Sequence, residues 1–365
     1  MHSDFIPPHG GQLRELAVQF GIPETSLLDF SVSINPQPPS DALVDALCDR
    51  IRDRTILTNY PDTKYAALKQ AIAKYAQVDT STIAIGNGVM PLLGAAVQAL
   101  HMHKCLIPVP SFTEYRRVLD ASGIECCILK GRQEEQFALD AGRIISELKA
   151  TNAQTVLLAN PQSPSGQLIN AKELGQLYNA AFALGATTIV DEAFIDYAPD
   201  ESLSQAAAKS RGLVVLRSLT KFFAMPGLRV AYAVACPEMR TAMESCVPAW
   251  PVDSIAAEAA RLVVDDNTSI AAARDVNNRE RNWLADKLRS LGLKVFSSEA
   301  NFLLVRIAKA REGHALWQRL IAEHRVVIRS CANFDGMDEG YFRIGVRTNP
   351  ENRMLVRALA EELHS

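Results

Sequence analysis

Residues 213–229 read LVVLRSLTKFFAMPGLR. A short run of branched apolar residues ends in a polar cluster, Ser218-Leu219-Thr220-Lys221, and is followed by a turn that closes on Gly227-Leu228-Arg229. The same arrangement occurs twice upstream. TVLLA at 155–159 runs into Asn160-Pro161-Gln162-Ser163-Pro164-Ser165-Gly166, and TTIV at 187–190 runs into Asp191-Glu192-Ala193-Phe194. Apolar runs without alternation are the signature of strands covered on both faces by helices, so each polar cluster sits where a strand leaves a mostly parallel sheet. Asn160, Asp191 and Lys221 are 31 and 30 residues apart, about one strand–helix unit each. Ligands of open α/β sheets bind at the carboxyl ends of the strands.

Working outward, TIAIG at 82–86, CLIPVP at 105–110, IECCIL at 124–129 and VAYAVA at 230–235 add further strands. The expected fold is α/β: a large three-layer α/β/α domain with a mostly parallel sheet plus a smaller α+β domain. The boundaries expected are 1–50 for an N-terminal segment packing with the small domain, 51–265 for the large domain and 266–365 for the small one. Residues 13–20 and 64–77 have helical apolar spacing. Residues 237–291 read as helical, with a break at Asn267-Thr268. LKVF, NFLLVRI, VVIRS and YFRIGV read as strands of the small domain, with helices near 312–323 and 350–363.

The chain has 365 residues, 48% hydrophobic and 22% charged, with net charge −3. It is long enough for a large core, and it carries no global basic field that would draw it to nucleic acid or an anionic membrane. No apolar run approaches a membrane span, and the start lacks the pattern of a secretory signal. Seven cysteines without a CxxC pair read as reduced thiols, and the expected location is the cytoplasm. His101 and His103 read as a surface pair, and no metal is expected.

Each polar cluster has a chemical reading. Lys221, among Phe222, Phe223, Ala224 and Met225, is a candidate Schiff-base lysine, because an apolar setting keeps an amine partly deprotonated. A buried Asp191 needs a cationic partner, and the protonated ring nitrogen of pyridoxal phosphate is one. Ser218 and Arg229 can grip a phosphate. Gly86-Asn87-Gly88 opens a helix whose free amides complete the cradle. Phe112 can stack on the pyridine ring. Taken singly these are weak signals: NPxxPxG is a proline-rich turn, and a lysine among apolar residues usually snorkels to solvent. Their order and spacing carry the inference.

The ordered set resembles the fold type I pyridoxal-phosphate enzymes of the class I/II aminotransferase family, over roughly residues 25–363. The resemblance implies that Lys221 is the catalytic lysine that carries pyridoxal 5′-phosphate. It implies that Asp191 pairs the ring nitrogen, and that Asn160 bonds the 3′-oxygen and also lines the substrate site. Gly88, Val89, Ser218 and Arg229 would hold the phosphate, with Tyr60 of Asn59-Tyr60-Pro61-Asp62 reaching it from the other subunit of a homodimer. His9-Gly10-Gly11, Asn35, and Arg329-Ser330-Cys331-Ala332-Asn333-Phe334 with Arg343 are similar to the branch of the family that decarboxylates L-threonine O-3-phosphate to (R)-1-aminopropan-2-yl phosphate and CO2 in cobalamin biosynthesis. That branch implies His9, Gly10, Asn35, Asn160, Arg329 and Arg343 as substrate ligands, with Arg343 for the carboxylate and Arg329 with His9 for the phosphate. Histidinol-phosphate aminotransferases, which usually lack the HGG and R-x-C-x-N-F segments, are the alternative, as is decarboxylation of L-serine O-phosphate. Three departures stand out: Val89-Met90-Pro91 in place of polar residues, Phe194 in place of a tyrosine, and Asp253 where an Asn is common.

Overall fold

A computed structural model describes residues 7–364. Its strands are β1 (Leu28–Asp29), β2 (Ile83–Gly86), β3 (Lys104–Val109), β4 (Glu125–Lys130), β5 (Thr155–Ala159), β6 (Thr187–Asp191), β7 (Leu213–Ser218), β8 (Ala231–Val234), β9 (Lys294–Val295), β10 (Phe302–Arg306), β11 (Val326–Val327), β12 (Arg329–Ser330) and β13 (Tyr341–Gly345). Seven of them form one sheet in the order β2-β8-β7-β6-β5-β3-β4. All neighbours are parallel except β8, which runs antiparallel to both β2 and β7.

The unbroken apolar runs follow from burial on both faces. Along β5 and β6, Leu158 and Val190 face one core with the helices Ala66–Ala76 and Ser254–Asp265. Leu157 and Ile189 face the other core, with the helix Val89–Ala99. The same two-residue alternation continues into the polar ends. Asp191 and Ser218 open onto the cavity described below. Their neighbours Glu192 and Arg217 form a buried ion cluster with Asp196, to which Tyr75 donates its hydroxyl. Breaking such a pair from one side strands a buried charge, at about 3–5 kcal/mol.

A second, antiparallel sheet has the order β12-β13-β10-β9. Its core joins Trp317, Leu284, Phe342 and Leu355 to Leu16 and Phe30 from the N-terminal segment. β1 adds a parallel pair with β11.

Two expectations need correction. VVIRS is not one strand. The Ile328 carbonyl accepts from Trp317 Nε1 at 3.0 Å, so the ladder breaks there and β11 and β12 pair with different strands. The helical stretch 237–291 is interrupted twice: between Pro237–Ser245 and Ser254–Asp265, and again at Asp266 rather than at Asn267-Thr268. Both later helices start at an aspartate N-cap. Asp253 accepts from the Ala256 N–H at 2.8 Å and Asp266 from the Ser269 N–H at 3.0 Å. Capping is therefore the role of Asp253, worth about 1 kcal/mol.

Candidate active site

The ends of β2, β3, β5, β6 and β7 surround a cavity of about 400 Å³. Eleven of the fourteen residues singled out in the sequence line it: His9, Gly10, Gly88, Val89, Phe112, Asp191, Ser218, Lys221, Arg229, Arg329 and Arg343.

At the deep end, the Lys221 amine is lowered to about 8 by burial, then by the positive charges of Arg343 and Arg229, with Asp191 opposing. Burial pushes the Asp191 carboxyl up, and hydrogen bonds from Tyr115 and the Ala193 N–H oppose that shift. Phe112 packs edge-on against Tyr115 with centroids 5.7 Å apart. Gly88 has φ +92°, and a Cβ there would lie 3.1 Å from Arg229 Nη2. The glycine thus clears the ground between the helix N-terminus and the guanidinium. Val89 and Met90 lie in the first turn of that helix, where N–H groups have no intrahelical acceptor. Ser218 Oγ and Thr220 Oγ1 stand 2.7 Å apart on the same wall. One expected donor drops out: the Gly88 N–H is bonded to the Gly86 carbonyl at 3.0 Å. Pro91 has no N–H at all, so the backbone contribution is Val89 and Met90.

At the opposite end, Arg329 on β12 and Arg343 on β13 are direct cross-strand partners. Their spacing in sequence therefore puts both guanidiniums on one face. Like charges placed directly opposite destabilise a sheet. No carboxylate among the described residues forms an ion pair with either one. Arg343 donates to Ser163 Oγ and the Ser31 carbonyl, each at 3.1 Å, and its buried Nε has no partner. Arg329 donates to the carbonyls of Pro7, Pro8 and Ser330 and to Asn333 Oδ1. Each guanidinium lies 5.3 Å from a ring centroid, Arg329 over Phe334 and Arg343 over Phe302. Phe194 packs edge-on against Phe302 and so backs that stack. Burial lowers Arg329 to about 10 and lowers Arg343 as well. His9 reaches Glu114 at 3.1 Å. Gly10 is forced by proximity, since a Cβ there would lie 2.2 Å from the Ser31 carbonyl oxygen.

Three expected residues are not brought to the cavity. Asn160 is 0% exposed, and its amide is closed on the Ile169 backbone by two 2.9 Å bonds. It copies a peptide unit to tie down the chain after β5. Asn35 donates to the Phe222 carbonyl at 2.9 Å, and its own N–H to the Lys221 carbonyl at 3.0 Å, so it braces the lysine loop from behind. Tyr60 is 80% exposed and stacks on Trp250 at 4.6 Å, outside the cavity. Sequence reasoning in turn missed Tyr115, Ser163, Thr220 and Glu114, all in the wall. Thr220 and Ser163 lie inside motifs already singled out. Tyr115 lies on the helix that follows Phe112, and no motif in the sequence marks it.

An amine of lowered pKa, a buried carboxylate, an aromatic wall and an anion cradle, all at the strand ends of a doubly wound sheet, fit pyridoxal 5′-phosphate. They define a pyridoxal-phosphate-dependent enzyme. The chain belongs to the family described as aminotransferase class I and II, whose model matches residues 25–359. It is 34% identical to the threonine-phosphate decarboxylase of Salmonella typhimurium, over 98% of this chain and 97% of that one. Among solved structures it is similar to the histidinol-phosphate aminotransferase of Clostridium acetobutylicum (TM-score 0.84, 29% identity, 93% of this chain and 99% of that one). It is also similar to the L-threonine-O-3-phosphate decarboxylase of Porphyromonas gingivalis (TM-score 0.80, 25% identity, 92% and 99%).

Proposed function

We propose that this chain decarboxylates L-threonine O-3-phosphate, releasing CO2 and (R)-1-aminopropan-2-yl phosphate, in the place in cobalamin biosynthesis that the family resemblance implies. The observation that carries this reading is the cross-strand pair Arg329 and Arg343, two guanidiniums on one face without a carboxylate partner. A phosphorylated amino acid offers two anionic groups and so satisfies both.

Pyridoxal 5′-phosphate, when bound, supplies the sink for the electron pair left at Cα as CO2 departs. Asp191 holds positive charge at the ring nitrogen. Val89, Met90, Ser218, Thr220 and Arg229 hold the phosphate of the cofactor. Arg329 and Arg343 orient the substrate by its two anionic ends, with His9 beside them, and this selects the bond at Cα that breaks. Lys221 Nζ, lowered to about 8, would take up the proton that the substrate ammonium gives up and deliver it to Cα in place of the departed CO2.

The likeness to a histidinol-phosphate aminotransferase structure favours a second reading, transamination. A product assay separates the two. Purified protein with the cofactor receives O-phospho-L-threonine with and without 2-oxoglutarate. CO2 and aminopropanyl phosphate formed without keto acid support decarboxylation. Glutamate formed from 2-oxoglutarate with histidinol phosphate as donor overturns it. O-phospho-L-serine run in parallel tests the side-chain methyl, which discriminates by only about 1–3 kcal/mol.

The enzyme is read as a cytoplasmic homodimer. Tyr60 and Trp250 form an exposed stacked pair, with Leu57 and Ile51 also exposed, and this supports a second copy seated on that face. Light scattering at micromolar concentration tests it, and a fully active monomer sinks it. The seven cysteines are unpaired, which supports a reducing compartment. No helix among the described residues is long and apolar enough to cross a membrane.

A further inference from the structure

Asp191 is 5% exposed at the end of β6 and lines the cavity. Both of its oxygens are tied. Oδ1 accepts the Ala193 N–H at 2.9 Å, and Oδ2 accepts the Tyr115 hydroxyl at 2.6 Å. Tyr115 is 1% exposed, on the first turn of the helix Glu114–Ala121 that follows β3. Its ring also props Phe112 edge-on. One side chain therefore touches both groups expected to hold the pyridine ring.

We propose that Tyr115 is a positioning residue for Asp191: its hydroxyl fixes the plane of the carboxylate and keeps it ionised, so that the proton shared with the cofactor ring stays on the ring nitrogen. This rests on the reading that pyridoxal 5′-phosphate occupies the cavity. The physical reason is acid strength. Burial makes Asp191 a stronger base than an exposed carboxylate, and each hydrogen bond donated to it makes it a weaker one. Two donors in a dry wall hold the carboxylate below the ring nitrogen in proton affinity. With the hydroxyl gone, Oδ2 is a buried, unsatisfied acceptor, and it takes the ring proton. The cofactor then loses its charged ring and part of its hold on the protein. The Lys221 ammonium is the other charge facing Asp191, with Arg343 and Arg229 beyond it. None of these donates a hydrogen bond to Asp191, so none replaces the hydroxyl.

The test is Tyr115→Phe, which removes one oxygen and keeps the ring against Phe112. Apoprotein is prepared from wild type, Tyr115→Phe and Phe112→Leu, and circular dichroism checks that each is folded. Each is titrated with pyridoxal 5′-phosphate labelled with 15N in the ring. The expected result is a protonated ring nitrogen in wild type. In Tyr115→Phe the 15N shift moves toward the deprotonated form, and affinity falls about tenfold or more. Phe112→Leu is expected to weaken binding without moving the shift, because it removes packing and not a proton partner. A Tyr115→Phe protein with wild-type shift and affinity overturns the proposal alone. A wild-type apoprotein that takes up no cofactor overturns the proposal together with the reading beneath it.

Discussion

At the cofactor end of the cavity, the carboxylate Asp191 is met by two donors of the fold, the Tyr115 hydroxyl and the Ala193 amide, while Arg229 shares its wall with a helix N-terminus that is likewise positive. At the substrate end, Arg329 and Arg343 face each other across a ladder and lean only on neutral oxygens. The first end is built on strand termini of a sheet buried on both faces. The second is built where a short sheet and the segment 7–11 meet, and Arg329 holds that segment by the Pro7 and Pro8 carbonyls. The difference fits the proposed division of the cavity between cofactor and substrate. A resident ring can be met by a carboxylate whose own hydrogen bonds are already made. A substrate that must come and go is met by cations whose present partners are easily exchanged.

The comparison breaks most sharply at Lys221. Lys221→Ala is expected to reduce turnover on the order of 10⁴-fold or more, with loss of the absorbance of the lysine-bound cofactor. Turnover close to wild type would remove the cofactor end from the mechanism. Arg343→Ala tests the other end: kcat/KM falls about a hundredfold, since a charge-assisted contact is worth about 3 kcal/mol, while the protein still binds the cofactor. Loss of cofactor binding in that variant would mean that the two ends are not separable. Trp317→Phe removes the donor that breaks the ladder at Ile328. Urea unfolding is expected to show a loss of about 1–3 kcal/mol. KM for the substrate rises because Arg329 is the next residue, and cofactor affinity serves as the control. The smallest effect is a pH dependence. Lys221 is depressed to about 8, so its neutral, reactive form grows as pH rises through 8. Stopped-flow mixing of apoprotein with cofactor should give a rate that climbs across that range and then levels. A rate that climbs only near pH 10 would mean an unperturbed amine.

The strands of the large sheet were legible because burial on both faces leaves an unbroken apolar run that ends abruptly in polar residues. TVLLA, TTIV and LVVLR each end within a residue or two of the observed strand. The break inside VVIRS was not legible, because it depends on Trp317 reaching Ile328 from a helix elsewhere in the chain. The same applies to the site. Eleven residues named from motifs line the cavity, since a motif at a strand end has little freedom in where it goes. Asn160 sits in such a motif and still turns away. An amide matches a backbone unit as well as it matches a ligand, and the Ile169 backbone is the nearer partner. Tyr115 was missed because nothing in an isolated EYRRVLDA helix distinguishes a hydroxyl donor from a core aromatic.

The opposed arginines have a thermodynamic consequence for the protein as a whole. Two like charges held in register raise the free energy of the native state, and a bound dianion removes that excess. By linkage, the substrate then acts as a structural component of the fold. Any anion that bridges both guanidiniums should stabilise the fold in proportion to the logarithm of its concentration, by about 2.7 kcal/mol at a hundred times its dissociation constant, and raise the unfolding temperature accordingly. Inorganic phosphate should act in this way even where no catalysis is possible. The stability of this enzyme is then expected to depend partly on the anions dissolved around it.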